Sequence, residues 1–364
     1  MANTNLLPKY EVVRREMRSR ILSGQFMTGR KLPSERDLVE EFGVSRITVI
    51  RAMKSLEQEG MISRGVGRGS FVQDRSKLAE VAVVLSANLM EPGTSPYFRM
   101  AATALVRAIR DAEWGWRGRM HLTTNPLGIE NVGQDLDLLD SEVLPQLRGV
   151  FTFCPLPGIA ERLHENGVPL VYLGIDAFFT WRYQIFFDYP DLYRRALGYL
   201  RSHGAQTIGT LVEAHRSNLD QPVGRFSWFS SAANASGLVY RPDWTLYAVN
   251  DTGATEQGGY ELFKRFWQQS EKPDALFVDD EITCRGVLRA ALELGVRFPQ
   301  DIRLITAISR GTELPYHQKV TRFEFVPATQ VKEAIDLMSQ LFANPALPEA
   351  RRFLPGDLVI GETA

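Results

Sequence analysis

Gly43 and Val44 are the only residues between two stretches of helical periodicity, and so short a joint leaves the chain few ways to fold there. Upstream, Ser34 reads as an N-cap with Asp37 at the third helical position, and Leu38 and Phe42 fall on one face. Gly43 suits the left-handed stop of that helix. Downstream, Ser45 reads as the cap of a helix whose buried stripe is Val49, Ala52, Met53 and Leu56, closed by Gly60. Before this pair, Tyr10, Val13, Met17 and Ile21, interleaved with Arg14, Arg15, Arg18 and Arg20, predict an amphipathic helix ending near Ser23-Gly24. Gly29–Pro33 reads as a loop. After the pair, Met61-Ile62-Ser63 and Ser70-Phe71-Val72 predict two short strands joined by the glycine-rich turn Gly65–Gly69.

Three helices and a hairpin predict a winged helix-turn-helix, whose second and third helices require a turn this short. Opposite its core stripe the third helix carries Arg46, Ile47, Ile50, Arg51 and Lys54. The N-terminal end of such a helix points into the DNA major groove. There an arginine like Arg46 forks onto a guanine edge or a phosphate. The Ser45 and Thr48 hydroxyls, with the helix N-terminal amides, suit phosphate oxygens. Gly67-Arg68-Gly69 at the wing tip would set an arginine in or beside the minor groove. Each residue also has a plainer reading: Ser45 as a cap alone, the arginines as solvated, Gly67 and Gly69 as turn formers. Their common face favours binding.

Charge distribution agrees. The formal charge of −1 conceals a basic head: residues 1–76 hold 14 Lys and Arg against 9 Asp and Glu, a net +5, and the rest hold 28 against 34. At 364 residues, two or three domains are expected. The longest apolar runs, such as Val81–Leu85, are strand-sized and far below the ~20 residues of a membrane span. With no apolar signal core at the N-terminus, a cytoplasmic, nucleoid-associated location and no membrane partner are expected. Cys154 and Cys284 lie far apart, and His121, His164, His203, His215 and His317 form no metal-ligand pair. No GxSxG elbow, Walker loop or GxGxxG opening a helix is present. The chain is therefore expected to be no enzyme and to need no metal or cofactor.

The segments Lys31–Leu38, Phe42–Val49, Glu59–Ile62 and Gly67–Val72 closely resemble the GntR family DNA-binding domain, over residues 9–72. The resemblance implies DNA contacts by Arg36, Ser45, Arg46, Thr48 and Gly67; the helix face and wing add Ile47, Ile50, Arg51 and Arg68. Ile50 stands where the family usually has arginine. Arg51, rotated by ~100° on the helix, does not replace it. Ile50 is expected to pack on thymine methyls.

Past a polar linker, Asp74–Lys77, strand-like and helix-like runs alternate. Strands are predicted at Val81–Leu85, Leu170–Leu173, Ile208–Val212, Ala275–Val278 and Ile302–Ile305, and helices at Tyr97–Ala112, Tyr189–His203, Ile282–Leu294 and Val331–Phe342. Alternation over about 290 residues predicts parallel sheets flanked by helices, in two lobes with a cleft. Gly167–Tyr172, Pro273–Val278, Gly295–Ile302 and Leu354–Ile360, read as a closing strand, resemble the LacI/GalR effector domain, which shares its fold with periplasmic sugar-binding proteins. A GntR head on such a body resembles the arabinose-repressor branch of the GntR family. The expected architecture is thus α/β, with an N-terminal winged helix-turn-helix (1–75) followed by a two-lobed periplasmic-binding-protein-like domain (76–364).

That resemblance implies a homodimeric transcription regulator, expected to be a repressor, on a double-stranded DNA operator, with a sugar-like effector between the lobes. By position the cleft ligands would be Tyr97 and Phe98 from the first lobe, Asp188 at a strand end, and Arg225, Asp280 and Glu281 from the second. Plainer readings stand beside these: Asp188 as a helix cap, Tyr97 and Phe98 as core, Arg225 as an exposed helix residue. The chain also departs from the pattern. Asp280-Glu281 replaces an Asn-Asp pair, Ala307–Gly311 lacks the family's aspartate, Trp228 stands where glycine is common, and Phe178-Phe179-Thr180-Trp181 adds aromatic surface. A carbohydrate-binding protein, or a regulator whose cleft takes no sugar, is the alternative.

Overall fold

The computed structural model describes all residues except 1–7, 23–24, 59–60, 66–67, 74–79, 87–94, 113, 115–116, 124–135, 141–142, 155, 157, 175–180, 216–224 and 251–253. The expected linker and domain boundary near residue 75, and Gly24, Gly60, Gly67 and Phe178–Thr180, lie outside the described residues. The chain forms two compact units: residues 1–81 with 112–118 and 137–148, and the remainder.

The head has three helices, α1 (Lys9–Leu22), α2 (Glu35–Phe42) and α3 (Arg46–Gln58), then a hairpin of β1 (Ile62–Gly65) and β2 (Gly69–Val72). α2 begins as its sequence predicts. Asp37 N donates to Ser34 Oγ at 3.2 Å while Ser34 N donates to Asp37 Oδ2 at 2.8 Å, a reciprocal capping box. These hydrogen bonds from Ser34 lower the Asp37 pKa. Gly43 ends the helix at φ 59°, a conformation few side-chain-bearing residues adopt. Val13, Met17, Leu38, Val49, Ala52, Met53 and Leu56 close a small apolar core with Met61, Ile62 and Val72 of the hairpin. Full burial of one such side chain stabilises by about 1.5–3 kcal/mol. The expected loop at Gly29–Pro33 does more than connect: Lys31 bridges Phe71, and Leu32 N donates to Ser70 O at 2.8 Å. This added backbone pairing tethers the wing to the segment before α2.

The body has two lobes. The first is built from β3 (Glu80–Ser86), α4 (Pro96–Asp111), β4 (Arg117–Thr123), β5 (Leu147–Thr152), α5 (Ile159–Glu165), β6 (Leu170–Leu173) and β7 (Tyr183–Phe187). The chain then enters the second lobe through α6 (Tyr189–Ser202). It continues with β8 (Thr207–His215), α7 (Arg225–Ala235), β9 (Val239–Asn250), α8 (Glu256–Trp267), β10 (Ala275–Val278), α9 (Glu281–Leu294), β11 (Arg303–Ser309) and β12 (Thr321–Phe325). It returns to the first lobe as α10 (Pro327–Ala343), which packs on α4, β6 and β7, and as β13 (Ala350–Leu354). The final strand, β14 (Asp357–Val359), is back in the second lobe.

Each lobe holds a six-stranded sheet, ordered β13-β7-β6-β5-β3-β4 in the first and β14-β12-β11-β10-β8-β9 in the second. β8 to β12 pair in parallel and only β14 runs against its neighbour. All residues of β3 and of β10 are buried, as strands covered on both faces must be. β12 alternates buried and half-buried residues.

One expectation is corrected. Leu354–Ile360 is not one closing strand: Leu354 ends β13 in one sheet, and Asp357 starts β14 in the other. Pro355 carries no N–H for a ladder, and Gly356 turns the corner against a ring; a Cβ there would lie 3.1 Å from Phe325 Cε1.

Candidate nucleic-acid interface and effector cleft

On the head, α3 and the wing border a concave surface lined by Lys31, Ser34, Arg36, Arg46, Arg64 and Ser70, among others. Glu35, at the first position of α2, organises its charge. It accepts from Arg46 Nε at 3.3 Å and from Arg64 of β1, so one carboxylate holds a guanidinium from the helix and one from the wing. Arg46 remains 77 % exposed and Arg36 88 %, the latter loosely paired with Glu40 at 3.4 Å. Exposed pairs of this kind contribute little to stability and exchange readily for a phosphate or a base edge. Arg64 is a member of this face that the sequence reading missed; its strand position gave no sign of proximity to Glu35.

The other predicted DNA contacts divide. Ser45 is an exposed cap: its Oγ accepts from Thr48 N at 3.3 Å and lies 2.8 Å from Thr48 Oγ1. Ile47 projects with 79 % of its surface exposed, whereas Ile50 is half-buried. Arg51 turns away from Arg46: its guanidinium lies over the Tyr10 ring of α1, 4.0 Å from the centroid. Arg68 is exposed at the wing turn, its N donating to Gly65 O at 2.9 Å. Gly67 lies outside the described residues.

In the body, Tyr97 is a core residue at 1 % exposure. Its ring packs edge-on against Phe98, Phe153 and Phe187, its hydroxyl donates to Gln330 Oε1, and burial raises its pKa well above the ordinary value. Gln330 was not singled out from sequence. It is fully buried in α10, and its Nε2 donates to Gly174 O at 3.0 Å, just past β6, and to Ile185 O at 2.9 Å in the middle of β7, tying α10 to these two strands of the first lobe. Phe98 is half-buried beside Tyr97 and Phe153.

Asp188 caps α6, accepting from Asp191 N at 3.0 Å. Asp280 caps α9, accepting from Ile282 N and Thr283 N at 2.9 Å each and from Thr283 Oγ1 at 2.6 Å. Burial raises the Asp280 pKa against these hydrogen bonds. The acids that turn inward are its neighbours. Asp279, missed in the sequence reading, is 4 % exposed and accepts from Tyr193 Oη at 2.6 Å. Glu281 is 5 % exposed, and burial pushes its carboxyl up to about 6 despite a hydrogen bond from Ser95. These acids follow the carboxyl end of β10, where open α/β sheets bind ligands. Arg225 opens α7, with its side chain outside the described residues. Cys284 is buried, and burial pushes its thiol up to about 12, which makes it a poor nucleophile. Among the described residues no group of three His, Cys, Asp or Glu is placed to hold a metal, and no helix is long and apolar enough to cross a membrane.

Residues 9–72 match the gntR family of bacterial regulatory proteins, and residues 197–364 match the periplasmic binding protein-like domain. The chain is 23 % identical over 317 residues to an arabinose metabolism transcriptional repressor of Halalkalibacterium halodurans, covering 82 % of this chain and 79 % of that protein. Among solved structures, the transcriptional regulator CelR–cellobiose complex superposes with a TM-score of 0.63 at 18 % identity, over 98 % of this chain and all of that one. A LacI family transcriptional regulator from Arthrobacter sp. FB24, in complex with lactose, superposes with a TM-score of 0.59 at 19 % identity, over 78 % of this chain and 99 % of that one. The chain thus carries a GntR-family regulatory domain at its start, followed by a periplasmic-binding-protein-like α/β body with the fold of LacI-family regulators.

Proposed function

We propose that this protein is a sequence-specific DNA-binding transcription repressor whose hold on its operator is set by a neutral sugar-like ligand between the two lobes of the body. The observation that carries the reading is the head's concave face. There Arg46 at the start of α3 and Arg64 on the wing share Glu35 in a surface otherwise open to solvent, beside the exposed Arg36. Arg36, Arg46, Ile47 and Arg68 would meet DNA, with Ser45, Thr48 and Gly67 at the phosphates and Ile50 beside them. Two heads of a homodimer would read the halves of a near-palindromic site. The DNA-binding domain would extend to about residue 75, and the protein would work in the cytoplasm without catalysing a reaction.

The acids after β10 and the aromatic first lobe suit a polyhydroxylated ligand, since carboxylates accept from hydroxyls and rings cover C–H faces. Such a ligand would act by shifting a pre-existing equilibrium between operator-binding and released forms. Names of relatives support the class: an arabinose repressor, and regulators crystallised with cellobiose and lactose.

The test is genome-wide footprinting of the full chain with and without arabinose, cellobiose and lactose, with titration calorimetry of the same sugars. Discrete palindromic footprints that weaken with one sugar are expected, with affinity falling steeply as salt rises. Diffuse binding without footprints would remove the regulator reading. Clear footprints with calorimetric silence would leave a repressor whose cleft takes no sugar.

A further inference from the structure

Ser95 and Glu281 meet across the two lobes of the body. Ser95 stands just before α4 in the first lobe. Its hydroxyl donates to Glu281 Oε1 at 2.5 Å and accepts from Tyr97 N at 3.2 Å, so it is oriented by the helix it precedes. Glu281 opens α9 in the second lobe. A second approach lies close by: a Cβ on Gly311, just past β11 of the second lobe, would sit 4.0 Å from Met100 Sδ on α4. The start of α4 therefore faces the strand ends of the opposite lobe.

A carboxylate exposed at only 5 % needs a donor, because burying it without one is costly. Its backbone donors, at Glu281 and Ser309, belong to its own lobe, and its side-chain donor, Ser95, comes from the other. Parting the lobes would strip Ser95 from Glu281 and return the carboxylate to water. Closing them without Ser95 would bury the carboxylate with that donor missing. The residue is thus an acceptor that must be filled whenever the lobes are together. A ligand hydroxyl can fill it equally well. An anionic ligand cannot, and it would also meet Asp279 and Asp280 beside it.

We propose that Ser95 is an internal latch: in the free protein its hydroxyl occupies Glu281 and holds the lobes together until a ligand hydroxyl takes its place. The part that concerns a ligand rests on the effector-cleft reading above; the part that concerns Ser95 does not.

The test measures the distance between lobes by double electron–electron resonance on the full chain, with spin labels at His164→Cys in the first lobe and Gln268→Cys in the second. Without sugar, the parent should give a short, narrow distribution. Ser95→Ala and Glu281→Ala should give a longer, broader one. Ser95→Thr, which keeps the hydroxyl, and Glu281→Gln, which keeps an acceptor oxygen, should stay short. An unchanged distribution in Ser95→Ala would overturn the proposal whether or not any sugar binds. If arabinose, cellobiose or lactose binds the parent, the same sugar should return Ser95→Ala to the short distance, and failure to do so would overturn the replacement of Ser95 by ligand. If no sugar binds but Ser95→Ala opens, the internal latch is supported and the sugar-effector reading falls.

Discussion

The rings of Phe187 and Phe325 stack with 4.3 Å between centroids and 21° between planes. Phe187 is the last residue of β7 and Phe325 the last of β12, strands of two different sheets. Each is followed within two residues by a helix belonging to the other lobe. The stack therefore joins two of the segments on which the chain passes between lobes. Tyr189 leans on Phe325 at 5.3 Å, and Gly356, on the third passage, fits beside the same ring.

Removing that ring should weaken the body through both lost volume and lost aromatic contacts. Phe325 is 3 % exposed, so Phe325→Ala should cost about 3–5 kcal/mol. Phe325→Leu keeps apolar volume and loses the aromatic contacts, and should cost about 1–2 kcal/mol. Urea unfolding followed by tryptophan fluorescence measures both. A Phe325→Leu as stable as the parent would mean that ring stacking contributes nothing beyond volume.

Arg46 and Arg51, five residues apart on α3, should behave differently. Arg46→Ala should weaken operator binding by about 1–3 kcal/mol, roughly 5- to 150-fold, with relaxed preference at one base pair. Arg51→Ala should keep the operator preference of the parent and lose roughly 0.5–1 kcal/mol of stability, because its guanidinium is on Tyr10. Ile47→Ala should change selection at a thymine more than Ile50→Ala, since Ile47 is the more exposed side chain. Selection from a randomised operator library reads the operator preference of all four variants. A lost preference in Arg51→Ala would place that arginine on a base.

Glu281 makes stability depend on pH in a definite direction. Its carboxyl titrates at about 6 in the folded chain against an ordinary 4.5, so the folded state holds the proton more tightly. Stability from this group is full below the lower value and is lost as pH rises through the higher one. The loss amounts to about 2 kcal/mol for a shift of this size. The unfolding free energy of the parent minus that of Glu281→Gln, measured from about pH 4 to pH 7, should fall by that amount. A difference that does not change with pH would show a carboxyl with an ordinary affinity for its proton.

Local chemistry explains what was legible. Ser34 with Asp37, Gly43 and Ser45 act on backbone groups within a few residues of themselves, so their spacing reveals their roles. Asp188 reads as a cap or a cleft ligand, and it caps α6; Asp280, read only as a cleft ligand, caps α9. Four helices of the body, α4, α6, α9 and α10, were read within a few residues of their ends, whereas α5 and α8 were not singled out. Strands were less visible. β12 buries alternate residues, and β13 is half-exposed along its length, so neither stands out as an apolar run.

The side chains that join distant parts were not legible. Asp279 meets Tyr193 across 86 positions, Gln330 meets Tyr97 across 233, and Glu281 meets Ser95 across 186. Arg64 reaches Glu35 across 29. Nothing in the neighbourhood of either partner announces the other.

By itself the sequence determined a basic helix-turn-helix head and a parallel α/β body, because periodicity, caps and turn residues are local properties. Tertiary structure alone decided which acid of Asp279-Asp280-Glu281 caps a helix and which ones turn inward. It also decided that Arg51, though exposed, lies over the Tyr10 ring while Arg46 pairs with Glu35 beside the wing. The reason is geometric: what each side chain meets is fixed by the packing of segments remote in sequence, such as Tyr193 for Asp279, Ser95 for Glu281 and Tyr10 for Arg51.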